Sequence, residues 1–223
     1  MNEQQKSDQT SKRTAPRDVR RRQLIMAAMD SIAKRGFSDT TLRHVTEKAK
    51  LSHGVVNYHF DSKEALYDAT LGYLAQEHYD IWTKFVAEAG DEPARQLSAI
   101  IEADFDKRVC TQKKLAVWFA FWGQAKYRPN YLKIHNKFDN ERSAELKRIC
   151  AALIEDGGYS GQTPAQAAHA VEALLDGLWL SLMLYPTLET RDESLQTCKK
   201  AIARMYPKHF VADAGVQECA VGA

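Results

Sequence analysis

The chain has 223 residues, 44% hydrophobic and 27% charged, an ordinary soluble composition with material for one or two domains and a real core. Its net charge is only +2, but residues 1–70 hold 13 Lys+Arg against 9 Asp+Glu, while the remainder holds 18 against 20. A basic front on a mildly acidic body suits a module that faces nucleic acid.

No apolar run is expected to approach the length of a bilayer span, and the polar first sixteen residues lack the apolar core of a secretory signal. Cys110, Cys150, Cys198 and Cys219 show neither CxxC pairing nor metal-ligand spacing, and read as free thiols in a reducing, cytoplasmic compartment.

Residues 1–16, rich in Gln, Ser, Thr and Lys, are expected to form a disordered arm. From Arg17 the pattern is helical: Leu24, Ile25, Ala28, Met29 and Ile32 make one stripe, with Gly36 where a C-terminal cap belongs. Leu42, Val45 and Ala49 mark a short second helix capped by Thr41. Ser52 is placed to cap a third helix running to about Phe60, its side chain satisfying free backbone N–H groups. Asp61 or Ser62 caps a fourth, which runs on through Leu66, Leu74 and Ile81. Beyond Gly90 the spacing predicts helices near 93–108, 112–127, 129–156, 164–185 and 190–209, punctuated by Pro129, Gly157-Gly158, Pro164 and Pro186. The expected fold is all-α: a compact three-helix head at 17–64, a helical body at 65–210, and a loose tail at 211–223.

The short helices joined by "AKLS" make a helix-turn-helix, with Ala49 at a close crossing and Leu51 filling the space between them. The N-terminus of its second helix is where a phosphate or base edge would be met. Gly54 costs that helix roughly 1 kcal/mol relative to Ala, a cost easiest to understand where backbone approaches another molecule. His53, Asn57 and Tyr58 fall on one side of the same helix.

"TLRHVTEKAKLSHGVVNYHFDSKEALYDATL" resembles the DNA-binding head of the TetR family of bacterial transcriptional regulators, and the chain's size and helical body resemble that family as well. The resemblance implies that Arg43 contacts a base edge and that His53, Gly54, Asn57 and His59 lie at major-groove positions. It implies a phosphate contact for Tyr58 and backbone clamps at Thr41 and Lys63, with Ser52 at the recognition-helix start. Arg20, Arg21 and Arg22 are further candidates for phosphate contacts, and His59 is as readily a packing residue against the fourth helix.

In the body, "KLAVWFAFWGQAKY" crowds Trp118, Phe119, Phe121 and Trp122 onto one helix, followed by Tyr127 and Tyr131. "ALLDGLWLSLMLY" adds Asp176, Trp179 and Tyr185. Aromatic faces near an acid could hold a quaternary ammonium by cation–π attraction, although such helices are as readily core, and Asp176-Gly177 as readily belongs to helix packing or a subunit contact. These two segments are similar to those of one branch of the family, the choline-responsive repressors of glycine betaine synthesis genes. That likeness implies an effector site including Trp118, Phe121, Trp122, Tyr127, Asp176 and Trp179. It also implies a homodimer on double-stranded operator DNA, paired through the last two helices with Ala168, Val171, Leu175, Leu178, Leu182, Cys198, Ile202 and Met205. The alternative within the family is a repressor of an efflux or catabolic operon that senses another apolar or cationic ligand.

Catalysis finds no footing: the chain has no GxxxxGK loop, no HExxH pair, and no GxGxxG after a strand, while "GGYSG" at 157–161 is not a GxSxG elbow. His44, His53 and His59 lack the spacing of a helical metal pair, so neither metal nor cofactor is expected.

Overall fold

The computed structural model describes residues 17–211 and 215–216, so the expected arm at 1–16 and most of the expected tail lie outside the described residues. Helix α1, Arg17–Asp39, buries the stripe Leu24, Ile25, Ala28, Met29 and Ile32. Gly36, at φ +79°, interrupts it, and the following residues turn Phe37 into the core. Helix α2 spans Leu42–Ala49 and α3 His53–His59. Lys50 adopts the left-handed conformation between them, its N–H bonding back to the Glu47 carbonyl at 3.2 Å. Buried Val45, Ala49 and Val56 face α1, and Gln23 Nε2 donates to the Ala49 carbonyl at 2.7 Å.

Ser62 caps α4, Lys63–Ala89, by accepting from the Ala65 N–H at 3.0 Å. At 27 residues this helix is about 40 Å long, and it runs from the head through the body. The body adds α5 (Pro93–Asp104), α6 (Gln112–Ala125), α7 (Pro129–Gly157), α8 (Pro164–Leu184) and α9 (Arg191–Met205). Glu92, Thr111, Thr163 and Thr190 cap four of them. Two helices end earlier than their spacing predicts. The Asp106 carboxylate accepts the Arg108 backbone N–H at 2.8 Å, closing a turn after α5. Pro207 has no N–H to continue α9, and Tyr206 before it leaves the helical region at φ −131°, ψ 62°. A two-residue antiparallel ladder pairs Phe210 with Val216 and Val211 with Gly215, so the expected tail begins inside regular structure.

Helix α1 packs along α6 and α4, α4 lies against α5 and α7, and α8 against α7 and α6. One apolar core therefore runs from the head into the body. Two expectations need correction here. By length and composition α8 is apolar enough to cross a membrane, contrary to the first reading of the sequence; in the fold its packed side is core, and Glu172 and Asp176 interrupt it. Moreover, Ala168, Val171, Leu175, Leu182, Cys198 and Ile202, expected at a subunit contact, are buried within the single chain, with Leu178 and Met205 half-buried. The outward face of α8 instead presents Ala170, Ala173, Gly177, Leu180 and Leu184.

Candidate nucleic-acid interface and ligand cavity

The helix-turn-helix brings most of the residues singled out in the head onto one exposed end of the molecule. Thr41 caps α2 by accepting from the His44 N–H at 3.3 Å, and His44 Nδ1 accepts from the Thr41 N–H at 3.3 Å. That reciprocal box leaves α2 a fixed start from which Arg43 projects. The Arg43 side chain is 78% exposed and pairs with Glu47 at 2.8 Å, one helical turn on. Water screens so exposed a pair, so Arg43 can exchange Glu47 for another acceptor at little cost.

His53, Gly54, Asn57 and Tyr58 are all exposed on α3. Tyr58 shows 70% of its surface, unusual for so large an aromatic ring, with the Arg17 guanidinium 5.9 Å from its centroid. A Cβ added at Gly54 would meet nothing closer than Ser52 Oγ at 3.8 Å, so nothing within the chain requires glycine there. Lys63 opens α4, its ammonium 5.1 Å from the centre of the Tyr67 ring.

Ser52 does stand at the N-cap of α3, but its side chain makes no capping hydrogen bond, contrary to expectation. Its carbonyl serves the helix instead, accepting from Val55 N at 3.1 Å, and the residue is exposed. His59 is also corrected: it is 8% exposed and sits off the surface that His53, Asn57 and Tyr58 share. Its backbone carbonyl accepts from Arg21 Nη1 at 3.0 Å, which ties it to α1 rather than to α4 as expected. Burial, reinforced by Arg17 and Arg21, holds its imidazole pKa below the usual value and so favours a neutral ring. Arg21 stacks 4.3 Å from the Phe60 centroid and Arg22 donates to the Tyr73 hydroxyl at 3.1 Å, so these two arginines are already engaged. Arg20 donates to Gln23, one helical turn on, at 2.8 Å.

In the body a cavity of about 450 Å³ lies between α4, α6, α7 and α8. Phe121, Trp122 and Tyr131 form its aromatic wall, and His135, Asp139, Arg142, His169, Glu172 and Asp176 its polar one. Three of the six residues expected at an effector site therefore meet here: Phe121, Trp122 and Asp176. Trp118 lies beside them, its ring 6.0 Å from that of Trp122, but faces a small adjoining void shared with His78. Trp179 is buried elsewhere and donates from Nε1 to the Asp104 carbonyl at 3.0 Å, and Tyr127 stands 73% exposed on the surface. Those last two are corrections. Trp179 follows the core face of α8, and Tyr127 falls in the turn after α6, where no helix directs it inward.

Apart from Asp176, the polar wall is not among the residues the sequence singles out. Its signal was there: Tyr131, His135 and Asp139 recur every fourth residue on α7, and His169, Glu172 and Asp176 recur at helical spacing on α8. The electrostatics are those of an acidic box with one cation. Arg142 is buried and pairs with fully enclosed Asp104 at 2.6 Å, and Asp104 also meets His78 Nε2 of α4 at 2.8 Å. Burial alone would raise the Asp104 pKa, but Arg142 and His78 outweigh it and hold the carboxyl below its ordinary value. Asp176 touches solvent along the cavity mouth while protein crowds it on its other sides. That desolvation pushes its pKa up to about 6; Arg142 opposes the rise, and Asp104, Asp139 and Glu172 add to it. Three polar atoms of the cavity lining, Trp122 Nε1, Arg142 Nε and Glu172 Oε1, are buried without a hydrogen-bond partner among the described residues. Leaving such a group unpaired costs about 1–3 kcal/mol, a cost that a bound molecule carrying both an acceptor and a positive charge would relieve.

An exposed helix-turn-helix on a helical body with a ligand-sized cavity defines a ligand-responsive DNA-binding protein. Residues 24–70 match the profile of bacterial regulatory proteins of the TetR family, and residues 93–207 match that of the C-terminal domain of BetI-type transcriptional repressors. The HTH-type transcriptional regulator BetI of Burkholderia thailandensis is 32% identical over 164 residues, 74% of this chain and 82% of its own. That of Stenotrophomonas maltophilia is 30% identical over 73% of this chain and 80% of its own. Among solved structures, a transcriptional regulator from Pseudomonas aeruginosa PAO1 superposes with a TM-score of 0.76 at 27% identity, covering 86% of this chain and 93% of that one. A regulator from Saccharomonospora viridis, solved in complex with choline, shares the fold at a TM-score of 0.71 and 20% identity, over 82% of this chain and 94% of that one. The chain belongs to the TetR family of transcriptional regulators and carries the BetI-type C-terminal domain.

Proposed function

We propose that this TetR-family repressor binds its operator as a homodimer in the cytoplasm and is released by a quaternary ammonium compound, choline or a close relative, so controlling glycine betaine synthesis genes. The observation that carries the ligand is the cavity: Phe121, Trp122 and Tyr131 offer ring faces while Asp139, Glu172 and Asp176 supply negative charge. A cation gains roughly 0.5–2 kcal/mol over such rings, more when desolvated. A trimethylammonium group has no N–H to satisfy, so ring faces and unpaired carboxylates suit it better than hydrogen-bond acceptors held in fixed positions.

At the other end, Arg43, His53, Asn57 and Gly54 meet the major groove, and Thr41, Ser52, Tyr58 and Lys63 meet the backbone. Base contacts carry the sequence information, and phosphate contacts carry register and salt dependence. Two heads must stand about 34–36 Å apart to read one face of the duplex. The exposed α8 face at Ala170, Ala173, Gly177, Leu180 and Leu184 supplies the close helix contact that joins two copies. A ligand in the body then shifts α4, which leads directly from cavity to head, and alters that spacing. Repression is relieved only if the ligand prefers the state that binds DNA poorly.

The buried Arg142 Nε supports a second reading, in which the inducer of a different operon is a cation that also carries a strong acceptor group. Calorimetric titration separates the two. Choline, glycine betaine and an uncharged isostere are titrated into the free dimer and into the dimer saturated with operator. Choline should bind the free dimer and bind the operator complex more weakly, by the same factor by which it weakens operator binding. Equal affinity for both forms removes choline as the inducer, and preference for the zwitterion moves the assignment to the second reading.

A further inference from the structure

The cavity and the DNA-reading helix are joined by a chain of four rings. Phe121 and Tyr131, both cavity-wall residues, stack edge to face with centroids 5.1 Å apart. Each also packs edge to face against Phe37 of α1, at 5.6 and 5.7 Å. Phe37 in turn meets Tyr67 of α4 at 4.8 Å. Tyr67 ends the chain: its hydroxyl donates to the Thr40 carbonyl at 3.0 Å, one residue before the cap of α2. All four rings are buried, and neither Phe37 nor Tyr67 touches the cavity or belongs to the exposed DNA face.

We infer that Phe37 and Tyr67 are positioning residues that transmit occupancy of the cavity to the helix carrying Arg43. The inference rests on the proposed effector reading and adds to it the path of coupling. Three physical facts support it. Edge-to-face pairs have a preferred geometry, so rotating one ring forces its partners to follow or to lose their contacts. Close-packed interiors offer no slack to absorb the shift and tend to move between discrete arrangements. Finally, Phe121 and Tyr131 both line the cavity, so a bound molecule meets the first rings of the chain directly. The Gly36 break, at φ +79°, sets Phe37 just beyond the main body of α1, so this middle link can shift apart from that helix. The path runs from ligand to Tyr131, to Phe37, to Tyr67, to the Thr40–Thr41 corner.

The test uses the full-length dimer, a duplex selected by the wild-type protein from a random-sequence pool, and choline chloride. Operator affinity is measured with and without choline for wild type, Phe37→Leu, Tyr67→Phe and, as an off-path control, Tyr206→Phe. Wild type is expected to lose operator affinity by a factor within about 5–150, the usual range of allosteric coupling. Phe37→Leu keeps apolar bulk but loses the ring edges; it should bind choline and free operator within about threefold of wild type, while the coupling factor falls below about 3. Tyr67→Phe should fall between, and Tyr206→Phe should keep the full factor. An undiminished factor in Phe37→Leu overturns the inference. If choline proves silent on wild type, the effector assignment fails separately, and a ligand-free cycle decides the path. Tyr131→Leu should then change operator affinity at least about fivefold alone, and less than about twofold in the Phe37→Leu background. Equal changes in both backgrounds overturn it.

Discussion

The head and the body of this repressor solve opposite problems. In the head the side chains proposed for DNA are exposed apart from half-buried Lys63, lie within Thr41 to Lys63, and owe their placement to two short helices and the start of α4. In the body the cavity residues come from α4, α6, α7 and α8, separated by long stretches of chain, and owe theirs to packing. The head can be read almost as a local motif, whereas the body's chemistry exists only once four helices have met. The two also differ in electrostatics. Head charges are solvated and exchangeable, as in the Arg43–Glu47 pair, while the Arg142–Asp104–His78 cluster is enclosed and each member needs the others.

That contrast sets the scale of the expected effects. Asp104→Asn should give the largest, because it strands buried Arg142: a loss of about 3–5 kcal/mol in unfolding free energy by chemical denaturation. A loss below about 1 kcal/mol would mean that water reaches the cluster and the body is less closed than described. Arg43→Ala should leave stability unchanged and remove about 1–3 kcal/mol of discrimination at one base pair, measured by binding to a set of single-base operator variants. A uniform loss across all variants would instead place Arg43 on phosphate. Gly54→Ala should set the head's two demands against each other. It should stabilise the free protein by up to about 1 kcal/mol in a thermal melt and yet weaken operator binding. Tighter binding would show that the backbone at Gly54 does not approach DNA.

The smallest effect is a pH dependence. Asp176 has a pKa raised to about 6, so its carboxylate is largely neutral at pH 5 and charged at pH 7. A cation is held more tightly by the charged form, so choline affinity should rise with pH through about 6 and level off above it. Asp176→Asn should abolish that step in a calorimetric pH series. A step that survives would assign the titration to another cavity group.

How much of this was legible in advance follows the same division. Thr41 and Ser62 are caps whose chemistry is local, and the sequence placed both, the second as one of two neighbouring choices. Ser52 shows the limit: position marks it as a cap, but the rotamer that would make the bond is a three-dimensional choice, and the side chain makes no such bond. His59 reads like its exposed neighbours, yet the turn of a seven-residue helix carries it onto α1. In the body, aromatic richness pointed to α6 correctly. It could not separate Trp122 on the cavity from Trp118 beside it, because one-sided apolar helices look alike whether they face core or void. The apolar stripe on α8 and α9 was a true helical stripe with the wrong partner: it closes the chain's own core, and a plainer outward face is left for a second copy.

By itself, then, the order of residues determined the phase of the described helices, the helix-turn-helix with its Thr41 cap and exposed polar face, and the crowding of aromatic rings in the body. Those features arise within a few turns of chain, from backbone hydrogen bonding and the 3.6-residue period. Tertiary structure alone decided which rings border the cavity, that Arg142, Asp104 and His78 share one enclosed cluster, and that Phe37 of the head touches the cavity wall. The reason is physical: a cavity, a buried ion cluster and a ring contact between α1, α6 and α7 belong to spaces between helices, and those spaces are fixed by how complementary surfaces pack at distances that no local pattern records.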